Sequence, residues 1–199
     1  MNQAKLKDSD HRILMAFFQD EAKAKTALDD VLEADMTMDH ISILGPASSS
    51  GDDPVGVYHS KAGERMASWG KMGAFWGGIL GAVTGAMGLF LIPGIGPLIV
   101  AGPIAEALVG AVGGAGLASG VMAGAGAISQ LGVAIHRMGI PHDRINKFND
   151  LIESGHYLLM VIVDKSNIED WRTKLEGHKP EIMEDHPYVG YIDALDAVA

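Results

Sequence analysis

The run IPGIGPLIVAGPIAEAL, residues 92–108, lies in the middle of a long uncharged block, and its reading decides the fold. From Met72 to Ile135 the chain carries 64 residues with a single formal charge, Glu106. Two prolines and two glycines fall within Pro93-Gly94-Ile95-Gly96-Pro97, a combination that breaks a helix. The block therefore divides into two arms, about Ser68 to Ile92 and Pro103 to about Ile135. Pro103 suits the first position of the second helix. Each arm exceeds the ~20 residues that a helix needs to cross a bilayer.

Glycine sets the character of both arms. Of 26 glycines, 18 fall between Ser68 and His136, which marks this block as a distinct insertion. Gly73, Gly77, Gly81 and Gly85 share one helix face, and Gly116, Gly120 and Gly124 repeat the spacing. Gly110 and Gly114 belong to the second arm as well. Glycine at i, i+4 clears side chains from a stripe, so another helix approaches to backbone contact. These nine glycines are the expected helix-packing and oligomerisation positions. Pro93, Gly94, Gly96, Pro97 and Pro103 are the expected turn of a helical hairpin.

Bulk composition narrows the function. The net charge of −10 argues against nucleic acid, which needs a basic surface. The chain has no cysteine, which removes disulfides, thiolate metal sites and cysteine nucleophiles. Met1 to Asp10 is polar, and the first apolar run, Ile13 to Phe18, is too short for a secretory signal.

The flanking sequence is periodic and polar. Arg12 to Gln19 reads as a buried strand. Asp20 offers an N-cap, and Ala24, Leu28, Val31 and Leu32 share one face of a helix running through Ala34. Asp39 to Leu44 reads as a second strand, and Val55 to His59 as a short edge strand. Pro141 and Asp143 open a helix striped with Ile145, Phe148, Leu151 and Ile152, which Gly155 ends. His156 to Val163 is the strongest strand, and Ser166 with Glu169 has capping-box spacing. From Gly177 the chain reads as an acidic tail.

The fold class is therefore α+β: a ferredoxin-like βαβ…αβα domain, with helices on one face, interrupted by a glycine-zipper α-helical hairpin. Residues 1–67 form the first half and a linker, 68–138 the hairpin, 139–176 the second half and 177–199 the tail. A fourth strand comes from Val55 to His59 or from a partner subunit.

Three segments carry a resemblance: Ile13 to Ala34, Ile92 to Leu108, and GIPHDRINKFNDLIESGHYLLMVIV from Gly139 to Val163. Over residues 12 to 165 the chain resembles bacterial general stress or heat-induced stress proteins. The resemblance implies stress-linked expression and often a membrane location. It implies no catalytic residues.

The expected function is a non-enzymatic, stress-associated membrane protein that self-assembles through glycine-zipper helices. Lys61, Arg65, Lys71, His136 and Arg137 flank the termini side of the hairpin, which orients the α/β domain and both termini to the cytoplasm, at the inner membrane. The alternative is a cytoplasmic homo-oligomeric scaffold whose hairpins form a shared core enclosing a lipid-like ligand. Weak insertion drive from glycine and alanine, and the cost of a deep Glu106, favour that alternative. The expected partners are a second copy of the chain, membrane lipid, and a protein docking at the C-terminal tail through Tyr188, Tyr191 and Leu195.

No catalytic, cofactor or metal residues are expected. Gly94-Ile95-Gly96 and Gly114-Ala115-Gly116 lack the strand–glycine–helix context of a phosphate loop. His178, Glu181, Glu184 and His186 cluster in the tail without helical metal spacing, and read as solvated. Ser48 to Ser50 read as linker. Glu106 falls in a first helical turn, where the helix dipole favours an acid.

Overall fold

The computed structural model describes residues 10–47, 87–92, 95–117 and 130–189. Two apolar strands form its centre, β1 (His11–Phe18) and β5 (Tyr157–Asp164), antiparallel from His11↔Asp164 to Phe18↔Tyr157. Between them in sequence come α1 (Glu21–Glu33), β2 (Ile41–Pro46), β3 (Met87–Ile92), β4 (Gly96–Ala101), α2 (Pro103–Leu117), α3 (Gln130–Arg137) and α4 (His142–Glu153). After β5 follow α5 (Ile168–Glu176) and β6 (Ile182–Pro187). Six strands make one sheet in the order β3-β4-β2-β5-β1-β6, with every paired neighbour antiparallel. The molecule is thus mixed α/β with an antiparallel sheet.

Local signals explain several elements. The Asp20 carboxylate accepts from the Lys23 amide at 2.8 Å and starts α1. The same backbone hydrogen bond holds the Asp20 carboxyl below its ordinary range. Pro141 stands one position before the first residue of α4, not at it as expected, and makes no side-chain cap bond; its carbonyl accepts from the Arg144 amide at 3.0 Å, and Gly155, at φ +91°, follows the helix end. The capping-box spacing at Ser166 does not cap α5: a short 3-10 turn, Lys165–Asn167, leads in, and Asn167 makes no side-chain cap bond.

Both faces of the sheet are covered by helices, a correction to the one-faced sandwich. Leu14, Ala16, Phe18, Leu159 and Val161 pack against Leu28 and Val31 of α1 and Leu175 of α5. Ile13, Met15, Phe17, Leu158 and Met160 pack against Ile104 and Leu108 of α2, Leu131 and Ile135 of α3, and Phe148 and Ile152 of α4. This double burial is why β1 and β5 lack the polar alternation of a half-exposed strand.

The described part of the uncharged block does not fit a first helical arm running to Ile92. Residues 87–92 and 96–101 are strands, paired antiparallel from Met87↔Ala101 to Ile92↔Gly96. Two short apolar runs flanking a Pro/Gly turn suit a buried β-hairpin as well as a helix break, and periodicity alone cannot separate the two. The Ile95 amide donates to the Ile92 carbonyl at 3.1 Å where the two strands connect, so the break expected between helices falls between strands. Pro103 does begin a helix. Among the described residues no helix is long and apolar enough to cross a membrane. The 15-residue α2 is about 22 Å long, short of a ~30 Å hydrocarbon core. The inner-membrane location and the transmembrane zipper are therefore overturned.

The fourth strand of the central unit is β6, from the segment read as an acidic tail. Val55 to His59 lies outside the described residues, and no partner subunit is needed for that strand.

Two junctions fix the inserted helices. Gly102, at φ +84°, joins β4 to α2 so close to β2 that a Cβ there would sit 1.9 Å from the Ile41 carbonyl oxygen. The buried Ser42 hydroxyl accepts from the Ile104 amide at 3.1 Å, capping α2 from the neighbouring strand. Gly139, at φ +114°, brings the α3–α4 loop against the Pro187 carbonyl, which a Cβ would approach to 2.2 Å. Gly102→Ala should cost more than about 2 kcal/mol through strain and backbone overlap. Ser42→Ala should cost about 1–2 kcal/mol through the lost cap. Urea denaturation of both variants measures this order, and a smaller loss in Gly102→Ala would contradict it.

Candidate functional site

Of the nine packing glycines, Gly110, Gly114 and Gly116 lie on α2. Gly73, Gly77, Gly81, Gly85, Gly120 and Gly124 lie outside the described residues, as do Pro93 and Gly94 of the turn. Gly96 and Pro97 open β4, and Pro103 opens α2. The apolar side chains of α2 and α3 named above face the sheet. Glu106 is exposed in the first turn of α2.

The feature with interaction geometry is the β3 edge. Pro97 stands opposite Leu91 and has no N–H to give. Its carbonyl turns the other way and accepts from the Ala47 amide at 2.9 Å. In an antiparallel ladder a residue's N–H and C=O point to the same side, and sides alternate along the strand. Leu91, Leu89 and Met87 therefore direct their backbone groups away from β4, toward an edge that no other described strand occupies. The strand MGLFLI bears no charge and no proline.

The opposite edge is different. β6 reads IMEDHP, with Glu184, Asp185 and Pro187. Asp185 takes the Arg12 Nε hydrogen bond at 2.6 Å and a second from the Arg172 guanidinium, tying β1, β6 and α5 together. Glu184 pairs with Lys147 at 2.7 Å and Arg144 at 3.4 Å, both on α4. Burial alone would raise the Glu184 carboxyl, but these two cations hold it below its ordinary value.

The four tail groups singled out by sequence do not converge. His178 pairs with Asp30 at 2.8 Å, and Glu181 with His156 at 2.9 Å. The His156 and Gln19 hydrogen bonds hold Glu181 below its ordinary range. His186 is buried under the Phe148 ring, 6.3 Å between centroids, with its Nε2 lacking a hydrogen bond and Glu184 at 3.5 Å. Burial holds its imidazole below its ordinary value, against the pull of Glu184. Among the described residues no three His, Cys, Asp or Glu side chains gather to hold a metal. Tyr188, expected to dock a partner, is half-buried on its own core; burial and the Glu106 carboxylate raise its hydroxyl. Tyr191 and Leu195 lie outside the described residues.

A surface cavity of about 330 Å³ opens between β1, the end of α1 and α5. Its rim carries His11, Asp35, His40, Asp164 and Trp171. His11 pairs with Asp164 at 3.2 Å, and the Thr37 hydroxyl meets His40 Nδ1 at 3.0 Å. Ala34, Met36, Ile162 and Val163 also line the cavity, and it lies outside the glycine arms, whose shared core is the expected enclosure for a lipid-like ligand.

Comparison with protein-family models, with curated proteins and with solved structures gave no match.

The sequence reading missed β3 as a sheet edge and β6 as a strand. The signal for β3 was the apolar–Pro/Gly–apolar pattern of a hairpin. For β6 the pattern gave no signal, since its charges resemble those of a solvated tail.

Buried His186 makes a pH prediction. An unfolded histidine takes up its proton near pH 6.5, whereas the folded imidazole resists it to lower pH. The unfolded state then binds more protons, so stability falls as pH drops below about 6.5. The loss levels off once the folded imidazole itself protonates. Thermal melts of His186→Phe between pH 7.5 and 5.5 should show a shallower fall than the parent chain; an unchanged slope would refute this assignment.

Proposed function

We propose that the chain is a non-enzymatic assembly module that associates with further copies of itself. The observation that carries this reading is the contrast between its two sheet edges. β6 carries two carboxylates and a proline, which discourage strand addition, while β3 is an uncharged strand with outward backbone groups. Among the described side chains Val109 is the one large apolar group left mostly exposed, at 59%. That favours association through backbone pairing over docking of a greasy face.

We further read β6-β1-β5-β2, with α1 and α5 as crossovers, as a ferredoxin-like unit. The strand order and the two helices packed on one face support this. On this reading β3, β4, α2, α3 and α4 are an insertion that widens the sheet and covers its second face. The resemblance to general stress proteins accords with a role without catalysis. The partner is a copy of the chain, and no cofactor is required.

Sedimentation of the full chain over a hundredfold concentration range should give a discrete oligomer that dissociates on dilution. A monomer throughout that range would overturn the proposal.

A further inference from the structure

Resting on this reading of self-association, we propose that two copies join edge to edge through β3, antiparallel about a two-fold axis at Leu89. The backbone groups of Met87, Leu89 and Leu91 already point outward, as the Pro97 and Ala47 contacts require. Outward-facing residues of two antiparallel strands meet as hydrogen-bonded pairs. The register that uses all three sets Leu89 opposite Leu89 of the second copy, and Met87 opposite Leu91 of the second copy. It yields about six backbone hydrogen bonds, two for each of three pairs.

Charge selects a second copy of this same strand as the occupant. The chain carries a net charge of −10, so most of its surface repels another copy. MGLFLI is free of charge and meets itself with no like charges opposed. The other available pairing, β3 on β6 of the next copy, would set an apolar strand beside Glu184 and Asp185. It would also lose a donor at Pro187. Head-to-tail pairing of that kind builds open filaments, whereas β3 on β3 closes at two copies.

The absence of cysteine provides a register-specific test. In the proposed register the Cα atoms of residue 89 in the two copies lie about 5.5 Å apart, within disulfide reach. Residue 91 of one copy is two pairs removed from residue 91 of the other, roughly 13 Å along the strand. Under mild oxidation Leu89→Cys should yield a disulfide-linked dimer and Leu91→Cys should remain unlinked. Leu89→Pro removes an outward N–H that β4 does not use, so it should roughly halve the particle mass while keeping the circular dichroism of the parent. If Leu89→Pro does not fold, the cysteine pair still decides the register.

Equal cross-linking at both positions, or at neither, overturns the β3 register, and self-association through another surface then stands if the parent remains oligomeric. A parent chain that is monomeric alone overturns both readings. An edge reserved for an extended segment of another protein would give that result.

Discussion

The apolar character of β1 and β5 on both faces is the constraint from which the rest follows. Ile13 to Phe18 and Leu158 to Val161 are almost wholly buried. Leaving either face wet would forgo about 1.5–3 kcal/mol for each large side chain. The two crossovers α1 and α5 lie on one face and satisfy that side. The other face depends on whatever the chain supplies between β2 and β5. The inserted helices are therefore half of the core rather than an appendage. Ile104, Leu108, Leu131 and Ile135 lie against the sheet. That leaves those faces of α2 and α3 unavailable to lipid.

Covering a sheet with an insertion requires that its entry and exit be held. The entry is held at Gly102 and Ser42, where backbone meets backbone and a buried hydroxyl completes the helix start. The exit is held at Gly139 against Pro187, and further by Lys147 and Arg144 on Glu184. The second anchor lies on β6, so the edge strand and the inserted helices stabilise one another. Asp185, between Arg12 and Arg172, performs the same service on the opposite face. β6 thus reads as a charged tail in sequence and behaves as a clamp in the fold.

The elements legible in the sequence were those with a short-range physical signature. Asp20 announced α1 by its cap, Gly155 ended α4, and the unbroken apolar runs of β1 and β5 marked strands buried on both sides. β3 and β4 were hidden because an apolar stretch without charges has no period to read. Glycine spacing in the preceding residues then extended a helical reading through Ile92. β6 was hidden because Glu184 and Asp185 advertise solvent, while their partners lie 13 to 173 positions away on other elements. An edge is a property of topology, so the candidate site at β3 could not be read from local pattern at all.

The two edges of the described sheet differ in a way that bears on indefinite growth. A sheet with both edges open adds copies without limit, since every added copy presents a fresh edge. Here β6 is closed by carboxylates already engaged with arginine and lysine, and by a proline. Of the two edges of the described sheet, only β3 lacks such groups, and the proposed β3–β3 pairing would leave β6 at both outer ends. Under that proposal, a finite assembly follows from the asymmetry of charge between two strands at opposite sides of one sheet. The same asymmetry has a cost. An uncharged edge strand left unpaired is prone to non-native pairing, so under the proposed self-association, assembly and protection from aggregation become one requirement.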